Sequence, residues 1–224
     1  VGGEREHALL VSQLANSATP NARVAVRVHP VDHAAFATDV QIVVKEAGDR
    51  WCHIMVPKVE SVDDVQLAVQ HIDAAGGAHI PLHVLVESPL AVHNVFSIAQ
   101  HPRVQSISFG LMDYVSACGG AVPGSAMGVE GQFSHPMVVQ AKLQVAAACH
   151  AYGKTPAHCV VTEFKDVAAI ERAAHQAASQ LAYTRMWSIH PDQILPIVRA
   201  FAPADSEVAQ AADIIEMAYV AQWA

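Results

Sequence analysis

Six times along this chain a short apolar run is followed by a stretch with helical spacing, and this alternation constrains the fold more than any other feature. The runs are "RVAVRVH" (23–29), "CHIMVPKV" (52–59), "LHVLVES" (82–88), "VQSISFG" (104–110), "AHCVV" (157–161) and "RMWSIH" (185–190). The segments after them include "HAAFATDVQIVVKEAG", "SVDDVQLAVQHIDAAGG", residues 91–100, "MVVQAKLQVAAACHAYG" (137–153), "DVAAIERAAHQAASQLA" and "PDQILPIVRAF". Ser61 and the two aspartates after Val62 suit a helix N-terminus. Strands that alternate with helices predict βα units and a parallel sheet.

A closed barrel of this kind needs eight strands. The chain starts without Met and runs into "EREHALLVSQLAN", which reads as a helix already under way. The expectation is therefore a modified (β/α)8 TIM barrel whose first two strands precede Val1, with residues 1–17 as the helix after the second. An open sheet of six strands is the rival fold. The barrel domain is expected over residues 1–203, and residues 204–224 are expected to be a C-terminal helical extension. In that extension Val208, Ala212, Ile215, Tyr219 and Trp223 recur near helical spacing, a stripe that needs a surface to cover. Residues 114–135, rich in Gly, Pro and Ser, read as a long functional or mobile loop.

At 224 residues and 52% hydrophobic, the chain can bury a sizeable core and is not globally disordered. Thirteen Lys and Arg against 21 Asp and Glu give a net charge of -8, and no basic stripe with interleaved aromatics offers a nucleic acid a surface. No apolar run approaches the ~20 residues that span a bilayer, and Val1 opens no signal peptide, so no membrane partner is expected. Cys52, Cys118, Cys149 and Cys159 are scattered without a CxxC and read as reduced thiols of a cytoplasmic protein. The 14 histidines form no HExxH pattern.

Barrel active sites lie at the C-terminal ends of the strands. Those ends carry Arg27, Pro57-Lys58, Glu87, Asp113 and His190. Lys58 and Glu60 have a plain reading as solvated loop residues, and His190 before Pro191 reads first as a capping or packing histidine. Arg27, inside an alternating apolar strand, calls for an anion. Two carboxylates facing one point, Glu87 and Asp113, would repel and raise one pKa unless a divalent cation lay between them. Mg2+ suits such a pair, being a hard ion that takes one or two carboxylates and fills its other positions with water and substrate oxygens. An α-keto acid chelating that ion, with its carboxylate on Arg27, fits the layout; solvated strand ends fit the spacing equally well.

The motifs "RVH" (27–29), "PKVES" (57–61), "LVESPLAVHN" (85–94), "SFGLMD" (108–113) and "SIHPDQI" (188–194) occur in the order found in the HpcH/HpaI aldolase family, and the chain resembles its citrate lyase beta-subunit-like branch. The resemblance implies a modified TIM barrel that binds Mg2+ through Glu87 and Asp113 and grips a substrate carboxylate with Arg27. It implies catalytic roles for Arg27, Glu87 and Asp113, and substrate contacts at Arg27, Lys58, Gly110, Leu111 and Met112. Such proteins cleave or form C–C bonds in 3-hydroxy acids or their CoA thioesters, usually as homo-oligomers, often trimers or hexamers. In them a C-terminal segment commonly reaches a neighbouring active site, a part the tail 204–223 would suit.

Two departures stand out: His29 replaces an Asn of the family's "R-[VI]-N", and "TRMW" (184–187) replaces its usual Gly-Lys. "VEGQFSHP" (129–136) has the look of a subfamily feature. The leading expectation is a Mg2+-dependent carbon–carbon lyase acting on a carboxylated 3-hydroxy acid or its CoA thioester. The altered "TRMW" motivates a second reading, a free-acid aldolase releasing pyruvate or oxaloacetate without CoA. A non-catalytic barrel used as a subunit or ligand sensor is the third, and the costly charged triad speaks against it.

Overall fold

The computed structural model describes residues 2–223. Six strands form one parallel sheet, β1 (Val24–Arg27), β2 (Trp51–Val56), β3 (Leu82–Val86), β4 (Val104–Phe109), β5 (Thr155–His158) and β6 (Arg185–Met186), each hydrogen-bonded to the next in sequence order. The sheet curls into a half-barrel. Register pairs Arg27 with Met55, Met55 with His83, and Val86 with Phe109, so successive strands finish at one common rim.

Helices cover the outer face of the sheet. The first, α1 (Gly2–Ser17), packs against α2 (Phe36–Ala47), and α3 (Val62–Ala74) follows β2. A capping box opens α3: Ser61 Oγ accepts the Asp64 N–H, and Asp64 accepts the Ser61 N–H, satisfying two otherwise orphaned donors. Ile54, Val56, Val84, Val86, Ile107 and Phe109 of the central strands are almost wholly buried in the main core with α2, α3 and α8 (Pro136–Ala151). Each such side chain contributes about 1.5–3 kcal/mol through burial.

Inside the curl, polar side chains lie among apolar ones such as Leu85. His83 is buried, with Nδ1 2.6 Å from Ser106 Oγ and Nε2 2.8 Å from Ser108 Oγ, both on the neighbouring strand. Burial, aided by His53 and Arg185, lowers its pKa to about 3, so the ring stays neutral.

Several elements differ from the sequence reading. The helix expected over 91–100 is two, α4 (Pro89–His93) and α5 (Val95–Gln100), broken at Asn94, whose amide turns to donate to the Glu60 carbonyl at 2.9 Å. Residues 114–135 are not one loop: α6 (Leu111–Ala117), a 3-10 turn at Gly124–Met127 and α7 (Gly131–Ser134) punctuate them. Buried Lys142 of α8 anchors this segment, donating to Gln132 O at 2.8 Å and Gln132 Oε1 at 3.1 Å while lying over the Phe133 ring.

The fifth strand sits two residues earlier than expected. The sixth shortens to two residues, because Ile189 N–H and the Ser188 hydroxyl turn to the Gln193 side chain. After α9 (Val167–Ser179) and α10 (Ile194–Phe201), the chain ends in α11 (Asp205–Val220), which lies open to solvent with Ile214, Ile215, Met217 and Tyr219 exposed. All four cysteines are free. Among the described residues no helix is long and apolar enough to cross a membrane.

Candidate active site

At the rim where the strands end, a cavity of about 580 Å3 is lined by Arg27, Lys58, Glu87 and Asp113, together with His29 and Asp39. Residues far apart in sequence meet here because the strands finish level and each contributes its next residues to the same rim. Glu87 follows β3 directly, and its Oε2 accepts the backbone N–H of Lys58 at 2.8 Å. Burial raises the Glu87 pKa above its usual value; the Lys58 N–H opposes that shift, Asp113 adds to it, and the charges of Lys58 and Arg27 oppose it.

Gly110 has a steric reason to be glycine. A Cβ there would lie 2.5 Å from Glu87 Cγ and 2.6 Å from Glu87 Oε1, so the carboxylate rests on the bare backbone of the next strand's end. Lys58 occupies the left-handed region at φ +53°, where a side chain is strained by roughly 1 kcal/mol or more. Its Nζ lies 3.7 Å from Asp113 Oδ1, with both side chains more than half exposed, so the pair itself is weak.

Asp113 is not at a strand end as expected. The strand stops at Phe109, and Gly110 leads into α6, which carries Asp113 in its first turn, where the helix dipole favours a negative charge. Leu111 turns its side chain into the core, and Met112 after it is half-buried. His190 caps and packs: its Nδ1 accepts the Asp192 N–H at 3.2 Å, and its ring stacks on Phe164.

The donor set fits a hard divalent cation. Glu87 and Asp113 supply carboxylate oxygens from adjacent elements, and the Lys58 N–H uses only part of Glu87's acceptor capacity. Such an ion would relieve both the burial of Glu87 and its repulsion by Asp113.

Asp39 escaped the sequence reading. It sits on the buried stripe of α2 with Phe36, Val40 and Val43, and an acid on an apolar stripe signals a polar partner. That partner is His29, whose Nδ1 lies 2.5 Å from Asp39 Oδ2 and whose backbone N–H reaches the same oxygen at 3.2 Å. The His29 ring stacks on His33 at 4.2 Å between centroids.

A family profile described as HpcH/HpaI aldolase/citrate lyase matches residues 5–191. The L-malyl-CoA/beta-methylmalyl-CoA lyase of Cereibacter sphaeroides (strain ATCC 17025 / ATH 2.4.3) is 31% identical over 207 residues, covering 86% of this chain and 64% of that protein. The malyl-CoA/beta-methylmalyl-CoA/citramalyl-CoA lyase of Chloroflexus aurantiacus is 29% identical over 216 residues, covering 85% and 61%. The chain thus spans a little under two thirds of the length of these curated relatives. A citrate lyase structure from Burkholderia xenovorans LB400 is 44% identical with a TM-score of 0.92, covering 100% of this chain and 72% of that one. A citrate lyase beta subunit from Mycobacterium tuberculosis, complexed with oxaloacetate and magnesium, shares the fold at 22% identity and a TM-score of 0.69, covering 85% and 78%.

Proposed function

Because the chain belongs to the HpcH/HpaI aldolase/citrate lyase family, we propose that it is a Mg2+-dependent carbon–carbon lyase acting on a carboxylated 3-hydroxyacyl-CoA thioester. The observation that carries this reading is the meeting of Arg27, Lys58, Glu87 and Asp113 around one cavity at the strand ends. The names of the curated relatives, malyl-CoA and citramalyl-CoA lyases, point to the substrate class, and the magnesium in the Mycobacterium tuberculosis structure points to the ion.

Glu87 and Asp113 would hold the Mg2+, which when bound supplies Lewis acidity toward the substrate's oxygens. Arg27 pairs with the carboxylate of the keto-acid half through its planar guanidinium, fixing which end of the substrate enters. The Lys58 N–H holds the Glu87 carboxylate in one orientation, and the Lys58 ammonium adds positive charge on the Asp113 side of the cavity. Gly110 leaves room for that carboxylate, and its peptide is fixed by donation to the Val86 carbonyl at 2.9 Å.

In the same reading the six-stranded half-barrel is the larger part of a (β/α)8 barrel spanning residues 1–203, with 204–224 as a C-terminal extension. The exposed apolar residues of α11 then support a homo-oligomer, a trimer or hexamer, in which that helix is covered.

The experiment is to incubate the full chain with malyl-CoA and with citramalyl-CoA, with and without Mg2+, and to measure keto acid release. Mg2+-dependent release from a thioester supports the reading. Release from the free hydroxy acid alone would favour the CoA-independent aldolase, and no release from any of them would remove the lyase assignment.

A further inference from the structure

We propose that His29 and Asp39 are the acid–base couple of this site, with His29 exchanging a proton directly with the substrate; the inference rests on the lyase reading above. Both residues line the same cavity as Arg27, Glu87 and Asp113. Asp39 is 7% exposed and is held from two sides by His29, through Nδ1 at 2.5 Å and the backbone N–H at 3.2 Å, both on Oδ2. An ionised carboxylate only accepts, so the Nδ1 edge carries the hydrogen and Nε2 carries the lone pair. A buried carboxylate behind an imidazole fixes its tautomer and stabilises the imidazolium when it forms. The His29 side chain is 37% exposed, open enough to meet a substrate.

The other groups at the rim have different work. Glu87 and Asp113 are the metal's ligands in the proposed site, and Arg27 and Lys58 are cations. The charged and titratable groups lining the cavity around His29 are Glu4 and His7 from α1, Arg27 from its own strand and Asp39 from α2, and His33 lies stacked on its ring. Of the imidazoles among these, His29 is the one seated on a buried carboxylate.

Cleavage of a 3-hydroxyacyl thioester needs such a base. The C3 hydroxyl gives its proton to Nε2, the C3–O bond becomes a carbonyl, and the C2–C3 bond breaks with its electron pair passing into the thioester enolate. The imidazolium then returns the proton to C2, releasing keto acid and acyl thioester and restoring neutral His29. No oxidant or reductant enters the balance.

A rival use of the same atoms is a metal site, because Glu4, His29 and His33 offer ligand atoms within 4.8 Å of one another. Two observations disfavour it. His33 Nδ1 already accepts the Ala35 N–H at 3.2 Å, and rings stacked within 10° of parallel do not aim their lone pairs at one ion.

The test compares wild type with His29→Asn, His29→Gln and Asp39→Asn in the full chain, using malyl-CoA and Mg2+. His29→Asn and His29→Gln are expected to melt near wild type, bind Mg2+ as wild type in calorimetry, and lose about 100-fold or more in kcat with little change in KM. Their kcat–pH profile loses its acidic limb, and exchange of acetyl-CoA methyl protons with deuterated water falls in parallel. Asp39→Asn lowers kcat less and shifts that limb. If His29→Asn keeps both rate and limb, the couple is structural and falls while the lyase reading stands. If wild type itself cleaves no thioester, the lyase reading fails and the couple with it. A stoichiometric Zn2+ site lost in both His29→Asn and Glu4→Gln would overturn the couple in favour of a metal centre.

Discussion

The main chain of Lys58 and the side chain of Glu87 are joined across two neighbouring strand ends, N–H to Oε2 at 2.8 Å, and Lys58 makes that bond from a left-handed backbone at φ +53°. Glycine adopts this conformation without strain, whereas lysine does not. Lys58→Gly should therefore keep the N–H and leave stability unchanged or higher by up to about 1 kcal/mol in urea unfolding, while thioester cleavage drops because the ammonium is gone. A large loss of stability in Lys58→Gly would show that the lysine stem, rather than the N–H, holds the segment.

Glu87→Gln and Asp113→Asn should each weaken Mg2+ binding by more than the about 10–100-fold typical of outer-shell partners. Glu87 is half-buried with a raised pKa, and Asp113 is exposed, so neither amide should cost much folding stability. Calorimetric Mg2+ titration paired with circular dichroism reads both quantities. Undiminished binding in both variants would remove the site.

Gly110→Ala asks whether the bare backbone under Glu87 matters. The added methyl would meet Glu87 at 2.5 Å, and overpacking of this kind costs about 1–3 kcal/mol. Displacement of the carboxylate should lower Mg2+ affinity as well as the melting temperature. Loss of stability with full Mg2+ affinity would mean that the strand end shifts instead of Glu87.

His83 gives the inside of the half-barrel a pH dependence. Its folded pKa, lowered to about 3, lies below the 6.5 of a free imidazole, so as pH falls below 6.5 the unfolded chain takes up a proton that the native chain refuses. Stability should fall between pH 6.5 and 3, by up to about 1.4 kcal/mol per pH unit from this group. Urea midpoints at pH 7 and 5 should drop less for His83→Gln than for wild type.

Lys142→Met should loosen the stretch before α8. The substitution leaves the main-chain carbonyl of buried Gln132 without its donor, at a cost of about 1–3 kcal/mol, while Gln132 Oε1 keeps the Cys159 thiol at 3.3 Å. Faster proteolytic cleavage within residues 118–131, at concentrations that spare the wild type, is the expected readout.

The sequence carried most of the architecture because local patterns encode it. Alternation of apolar runs with amphipathic segments is a short-range signal, and all six strands appeared, misplaced by a few residues at most. The parts that escaped depend on distant partners. Asn94 breaks a helix to reach Glu60, Lys142 orders α7 from ten residues away, and Gln193 draws Ser188 and Ile189 out of a strand.

Of the candidate site, the meeting of Arg27, Lys58, Glu87 and Asp113 at one rim was legible in the sequence, while the route of Asp113 to it, from the first turn of α6 instead of a strand end, was not. Leu111 is buried because the turn at Gly110 starts a helix whose first residue points into the core, a local turn that the residue pattern does not announce. Asp39 escaped because its meaning lies in His29, ten residues away.

The consecutive order of the six strands has one more consequence. Arg27, Lys58, Glu87 and Asp113 end or follow four successive strands, β1 to β4, so the pocket is modular: a change in one connecting segment, such as the one that carries His29, can alter one contribution to the cavity without touching the others. A frame of this kind lets one connection change at a time while the neighbouring strand ends keep their places.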